Sequence, residues 1–237
     1  MEMKHLITKT LSFCFVVLAL TACGSARHTT GVKMSTIPEF AFIQPCAYMV
    51  FYEDDGRGYY NQSSSDVASQ VIANVINSER FPFTDMIPAD YQGNNNDIFQ
   101  WAQNLTEIKS AQVDRLRVPK SLTSLLNENG QRYGLLIYSY GYTMSQEAYQ
   151  RERIEKAASK VIDTAAEKLT GISGLTNPSR SYIPSDPYGN MMTCVVVDAQ
   201  EQRVIYYAKQ IPTFASYPKD NADVSKLLHK LLKDFIR

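Results

Sequence analysis

Between residues 41 and 53 the stretch AFIQPCAYMVFYE is dense in β-branched and aromatic side chains and closes on the turn-forming Asp54-Asp55-Gly56-Arg57-Gly58, which predicts a first strand. Pro45 has no N–H to give a ladder, so it is expected at a bulge or near the strand's start. The period then changes. Val67, Ala68, Val71, Ile72, Val75 and Ile76 recur at helical spacing behind Ser63, Ser64 and Ser65, which are candidate N-caps, with Asp66 in the first turn. Phe81 to Ile87, interrupted by Pro82, predicts a short edge strand. Asp97 is expected to cap a helix whose apolar face is Ile98, Trp101, Ala102, Leu105 and Ile108.

Pro119 suits a helix's first turn, Leu122, Leu125 and Leu126 form that helix's face, and Asn129-Gly130 ends it. Tyr133 to Met144 (YGLLIYSYGYTM) is the strongest strand pattern in the chain. Ser145 to Ile172 predicts a long helix with a narrow seam that includes Ile154, Val161 and Leu169, and the Pro- and Gly-rich residues 173 to 189 predict a loop. Asn190 to Val197 and Arg203 to Lys209 alternate around Asp198-Ala199-Gln200-Glu201-Gln202 as a hairpin. Asp220 to Arg237 predicts a last helix, with Val224, Leu227, Leu228, Leu231, Leu232 and Phe235 facing inward. This order specifies a single α/β domain in which a mixed sheet is flanked by helices, with a helical insertion at about 145–189 between two strands.

The amino terminus follows a different logic. Lys4 and Lys9 precede an apolar run, Leu11 to Leu20, that is too short for a bilayer core needing about 20 residues, so it reads as an export signal. The run ends in Leu20-Thr21-Ala22-Cys23-Gly24, which resembles a bacterial lipobox. That resemblance implies cleavage after residue 22 and acylation of Cys23, making the lipid bilayer the first expected partner. Each buried methylene contributes ~0.8 kcal/mol, so two or three acyl chains anchor where one does not. By resemblance to Gram-negative sorting rules, Gly24 and Ser25 imply the outer membrane, and a periplasm-facing position is expected. Residues 23 to 38 are expected to be a lipidated tether reaching at most about 50 Å at ~3.3 Å per residue, ahead of a domain spanning residues 39 to 237.

Composition narrows the function. The chain has 237 residues, 24 basic and 24 acidic groups and 44% hydrophobic residues. No field of either sign is available to hold a polyanion, so no nucleic-acid partner is expected. A chain of this size buries roughly 70% of its unfolded surface and needs no disulfide or structural metal. Outside the signal and Cys23, only Cys46 and Cys194 remain, either as a disulfide permitted by the compartment or as two buried thiols.

Three stretches, Tyr48 to Arg80, Ser121 to Thr143, and the hairpin Cys194 to Tyr206 with its following helix, resemble the α/β family of the curli-secretion lipoprotein CsgG, the penicillin-binding-protein activator LpoB and the amino-terminal domain of TolB. The family hairpin runs like "lvDxxTGeVv". Asp198 matches, whereas Gln200-Glu201 stand in place of the Thr-Gly pair. In the curli pore the insertions become membrane-spanning hairpins. Here the insertion carries Arg151, Glu152, Arg153, Glu155 and Lys156 in a helical pattern, which disfavours a β-barrel pore.

Catalytic constellations are sparse. Beyond the signal the histidines are His28 and His229, which are far apart in sequence, and no CxxC or HxxxH spacing supplies a zinc site. Glu53-Asp54-Asp55-Gly56 lacks the alternate spacing of a calcium loop. No cofactor, metal or enzymatic activity is expected. The conspicuous residue is tyrosine, 15 in all, with Tyr138, Tyr140 and Tyr142 on one strand face. These, with Ile154, Val161 and Leu169, are the candidate partner-binding residues. The expected function is that of a non-catalytic, outer-membrane-anchored interaction or assembly module for envelope machinery. The alternative is an oligomeric component of a secretion complex.

Overall fold

A computed structural model describes residues 25–154 apart from positions 31, 33, 38, 56, 80, 82, 84 and 85, together with residues 186–211 and 215–235. Its centre is the long strand that the apolar pattern picks out, here β6 (Tyr133–Met144), with Leu135, Leu136 and Ile137 fully buried. On one side β6 pairs antiparallel with β7 (Tyr188–Asp198), β7 with β8 (Arg203–Gln210), and β8 with β1 (Ser25–Thr29). On the other side two short strands share its edge in parallel, β2 (Ala41–Ile43) against Gly134 and Leu135, and β3 (Cys46–Tyr52) against Tyr138 to Met144. Beyond them lie β5 (Met86–Ile87) beside β2 and β4 (Gly58–Tyr60) beside β3. The result is an eight-stranded mixed sheet.

Helices cover both faces. On one, α1 (Gln62–Ser78) and α5 (Asn221–Leu231) bury Ile72, Val75, Val224, Leu227 and Leu228 against Leu135, Ile137 and Val196. On the other, α2 (Asn96–Leu105), a 3-10 turn (Ser110–Arg115) and α3 (Lys120–Glu128) bury Ile98, Leu105, Val113 and Leu122 against Leu136, Val195 and Tyr207. The domain is therefore a three-layer α/β unit. Gly134 lets α3 approach β6, since a Cβ there would lie 2.5 Å from a Leu126 methyl.

Several expectations shift. The strand drawn from 41 to 53 is two strands, because Gln44 and Pro45 leave the ladder between them. The second strand shrinks to β5. The N-cap of α1 is Asn61, whose side chain accepts the Ser64 N–H at 2.8 Å, while Ser65 Oγ turns to receive the Met49 N–H. Asp97 does not cap α2. Asn95 holds that position, and Asp97 accepts from Ser121 Oγ at 2.6 Å instead, tying α2 to α3. Residues 146–154 are helical (α4), and the rest of the expected insertion helix lies outside the described residues.

The largest departure is at the amino terminus. The expected tether contains β1, which completes the sheet against β8. Its sequence is polar because successive side chains pair to opposite faces. Arg27 reaches the Asp234 carboxylate at 2.6 Å and the Lys230 carbonyl beside α5, while His28 Nε2 meets Asp114 at 2.8 Å in the 3-10 turn. Ion pairs and ladder bonds hold this strand, so no apolar periodicity announced it.

The predicted hairpin forms as β7 and β8. Asp198, almost wholly buried, accepts the N–H groups of Gln200 and Glu201 at 3.0 and 3.2 Å and a guanidinium fork from Arg132 at 2.8 to 3.2 Å. The left-handed residue of the turn is Gln202 (φ 52°), directly after Gln200 and Glu201.

Candidate functional site

The split of the sheet edge at Gln44-Pro45 opens a cleft of about 940 Å³. Below it β2 turns toward β5 and β3 toward β4, so neither outer strand bridges the gap. One wall is α1, whose outward stripe of Gln62, Asp66, Gln70, Asn74 and Asn77 repeats at three- and four-residue spacing on the flank beside the buried Ala68 and Ile72. Gln44, Gln92 and Asn96 line the opposite side, and Tyr48, Tyr60, Tyr91 and Phe99 supply aromatic surface.

These groups hold one another in place. Tyr60 donates its hydroxyl to Gln62 Oε1 at 2.6 Å, and Gln62 Nε2 donates to Asp66 Oδ1 at 2.7 Å, so a relay runs up the helical wall. Across the cleft, Gln44 Oε1 accepts the Ala89 N–H at 3.2 Å, and the Tyr91 hydroxyl donates to the Gln44 carbonyl. Tyr48 stacks on Tyr60 with ring centres 4.7 Å apart and lies nearly parallel to Tyr140 at 6.1 Å. Asp90 Oδ1 accepts the Gly93 N–H at 3.0 Å. Both carboxylates of the cleft are thus committed to neighbours.

Burial sets the protonation of the residues beneath. Desolvation pushes the Cys46 thiol far up despite a hydrogen bond with Tyr91, and desolvation followed by the neighbouring Cys46 raises Tyr91 well above the phenol range. Burial also raises Tyr138, and it raises Tyr140 with help from Tyr52 and Tyr48. At neutral pH these groups are protonated and uncharged. The cleft offers amide donors and acceptors, hydroxyls and aromatic faces, a set suited to binding neutral polar surfaces. Among the described residues no three His, Cys, Asp or Glu side chains converge on a metal position.

The residues singled out from sequence divide by depth. Tyr138, Tyr140 and Tyr142 do share a face of β6, but Tyr138 is 2% exposed beneath Phe99 and is removed from the candidate partner-binding set. Tyr140 is 36% exposed, and Tyr142 is half-buried with its ring over Gly189. Ile154 is exposed at the end of the described part of α4. Cys23, Val161 and Leu169 lie outside the described residues. Cys46 and Cys194 are free thiols that cannot form the candidate disulfide, because one packs in the α2–α3 layer and the other in the α1–α5 layer, with the sheet between them. Burial pushes the Cys194 thiol up to about 12. His229 Nε2 meets Glu79 at 2.6 Å, linking α5 to the end of α1.

The amide stripe of α1 was missed. Its signal lay in the same helical periodicity that marked the apolar stripe, read at the positions between.

No family model matches the chain, and no curated protein matches it. Solved structures similar to it include the PelC dodecamer from Paraburkholderia phytofirmans in two crystal forms. Both are 11% identical, covering 89% of this chain and 96% of that one, with TM-scores of 0.37 and 0.36. Another is a DUF4136 family protein from Bacteroides thetaiotaomicron, 9% identical over 88% of this chain and 93% of that one, with a TM-score of 0.30. The resemblance to the CsgG, LpoB and TolB family gains no support from them.

Proposed function

We propose that the chain is a non-catalytic interaction module of the cell envelope, an outer-membrane lipoprotein that faces the periplasm and holds a segment of envelope machinery in the cleft beside α1. The observation that carries this reading is the cleft's lining, in which amides, hydroxyls and tyrosine faces are pre-ordered by the Tyr60–Gln62–Asp66 relay. Such a wall recognises extended, uncharged, hydrogen-bonding partners. The lipobox-like motif Leu20-Thr21-Ala22-Cys23-Gly24 supports the anchoring.

A photocrosslinking residue at Asn74, at mid-helix on the wall, tests this in cells. The expected outcome is a discrete adduct with an envelope protein that disappears when Tyr60→Ala removes the aromatic platform, while the chain stays folded and membrane-bound. No adduct, or one indifferent to Tyr60→Ala, would overturn the reading. Sedimentation of the acylated protein in detergent separates the alternative, since a discrete high-order oligomer would favour a component of a secretion complex.

A further inference from the structure

The outer edge of the sheet has a gap, and the backbone facing that gap lacks a partner. Hydrogen bonds along β3 show which amides turn outward. Met49 gives its N–H to Ser65 Oγ at 3.0 Å and accepts the Asn61 N–H at 2.9 Å, and the Glu53 N–H reaches the Arg57 carbonyl at 3.1 Å. The odd-numbered residues of β3 therefore direct their N–H and C=O away from β6. Tyr52 points the other way, its carbonyl accepting the Ser145 N–H at 2.9 Å just past the end of β6. Before the Gln44-Pro45 break the sense is reversed, for Gln44 gives its N–H to the Ile87 carbonyl at 2.8 Å and its own carbonyl accepts the Tyr91 hydroxyl. Ala47 thus stands between two satisfied neighbours with its N–H and C=O directed outward. Among the described residues no donor or acceptor meets either group.

Ala47 is 3% exposed and lines the cleft. An unpaired amide in so sheltered a place is rare, because leaving it without a partner costs free energy. It lies where the outer column of strands is interrupted. β5 flanks β2 at Phe42 and Ile43, β4 flanks β3 from Val50 to Tyr52, and among the described residues no strand lies between them. From Gln44 to Met49 the span is about 16 Å at ~3.3 Å per residue, room for about five residues of extended chain. An outward N–H and C=O on one residue match the backbone of a second polypeptide, as in strand addition to an open sheet edge.

The two faces of the sheet set the side chains of such a strand. Ala47 packs with Ala68 on the α1 side. Tyr48 lies on the α2 side, its ring centre 6.4 Å from that of Phe99, which is 6.2 Å from Tyr91. A residue laid opposite Ala47 faces α1 near Gln70 and Asn74, and its two neighbours face the aromatic wall. Resting on the reading of this cleft as a docking site, we infer that its occupant is an extended peptide that adds as a strand beside Ala47. Its Ser, Thr, Asn or Gln side chains face α1 and its apolar side chains face Tyr48, Tyr91 and Phe99.

The test pans phage displaying random nonapeptides on the full chain. Enriched sequences are expected to alternate amide or hydroxyl residues with apolar ones. The best binder is then synthesised in two N-methylated forms, one methylated on its odd backbone nitrogens and one on its even, since only one set faces Ala47. One form should bind roughly tenfold more weakly and the other within about twofold of the parent peptide. Ala47→Pro removes the outward N–H and spares the β6 ladder, so the variant should fold and bind the unmodified peptide roughly tenfold more weakly. If that variant misfolds, the N-methyl pair decides alone. No enrichment, binders without a period of two, or N-methyl forms that weaken equally would overturn the added strand. The Asn74 crosslink separates this from the broader reading. A protein adduct there together with equal N-methyl effects overturns only strand addition, whereas a carbohydrate adduct overturns the protein-docking reading as well.

Discussion

Asp198 ties the β7–β8 turn to Arg132, just ahead of β6. Its burial raises its pKa, but the Arg132 hydrogen bond, the Glu201 N–H, the Arg132 charge and the Gln200 N–H together outweigh that and hold it below the ordinary carboxylate range. A depressed pKa in the folded state contributes stability that is fully present above the unfolded value and is lost as pH falls through the folded one. Asp198→Asn is therefore expected to lower the unfolding free energy by about 2–3 kcal/mol at pH 7, with the gap from the parent narrowing below about pH 4. Urea titrations of both chains across that range measure it, and a gap that stays constant with pH would show the charge to be irrelevant. Sequence pattern marked Asp198 as a hairpin residue. It did not reveal the partner, because Arg132 lies 66 positions away and only the β6–β7 pairing brings it alongside.

At the scale of elements, legibility followed periodicity. The helix α1, the strand β6 and the β7–β8 hairpin repeat apolar residues cleanly at 3.6 or 2 positions, and each stands where the pattern put it. Alternation identifies a face but not a depth, which is why Tyr138 and Tyr140 looked equivalent while a helix covers one of them. The cleft was illegible as a unit because its lining comes from four separated segments. Close strand packing was equally hidden. A Cβ on Gly141 would stand 2.9 Å from the Gly189 carbonyl oxygen and 2.6 Å from the Met49 methyl. Because backbone cannot swing aside as a side chain does, Gly141→Ala is expected to cost about 1–3 kcal/mol. Calorimetry should show the midpoint falling by about 2–12 °C, and an unchanged midpoint would mean that β6 and β7 are looser than described.

For the whole molecule, the sheet divides the apolar interior into two compartments with separate membership. Leu126 lies in one and Leu228 in the other, both fully buried. Each Leu→Ala change is expected to destabilise by about 2–5 kcal/mol, and the double variant by their sum within about 0.5 kcal/mol, since the two sites share no neighbours. Denaturant unfolding of the singles and the double measures this, and a large coupling would show the layers to be one cooperative core. The pairing of β1 with β8 also sets a schedule for biogenesis. The first strand to be made has its place only beside one of the last, so the sheet stays open until residue 210 has been delivered.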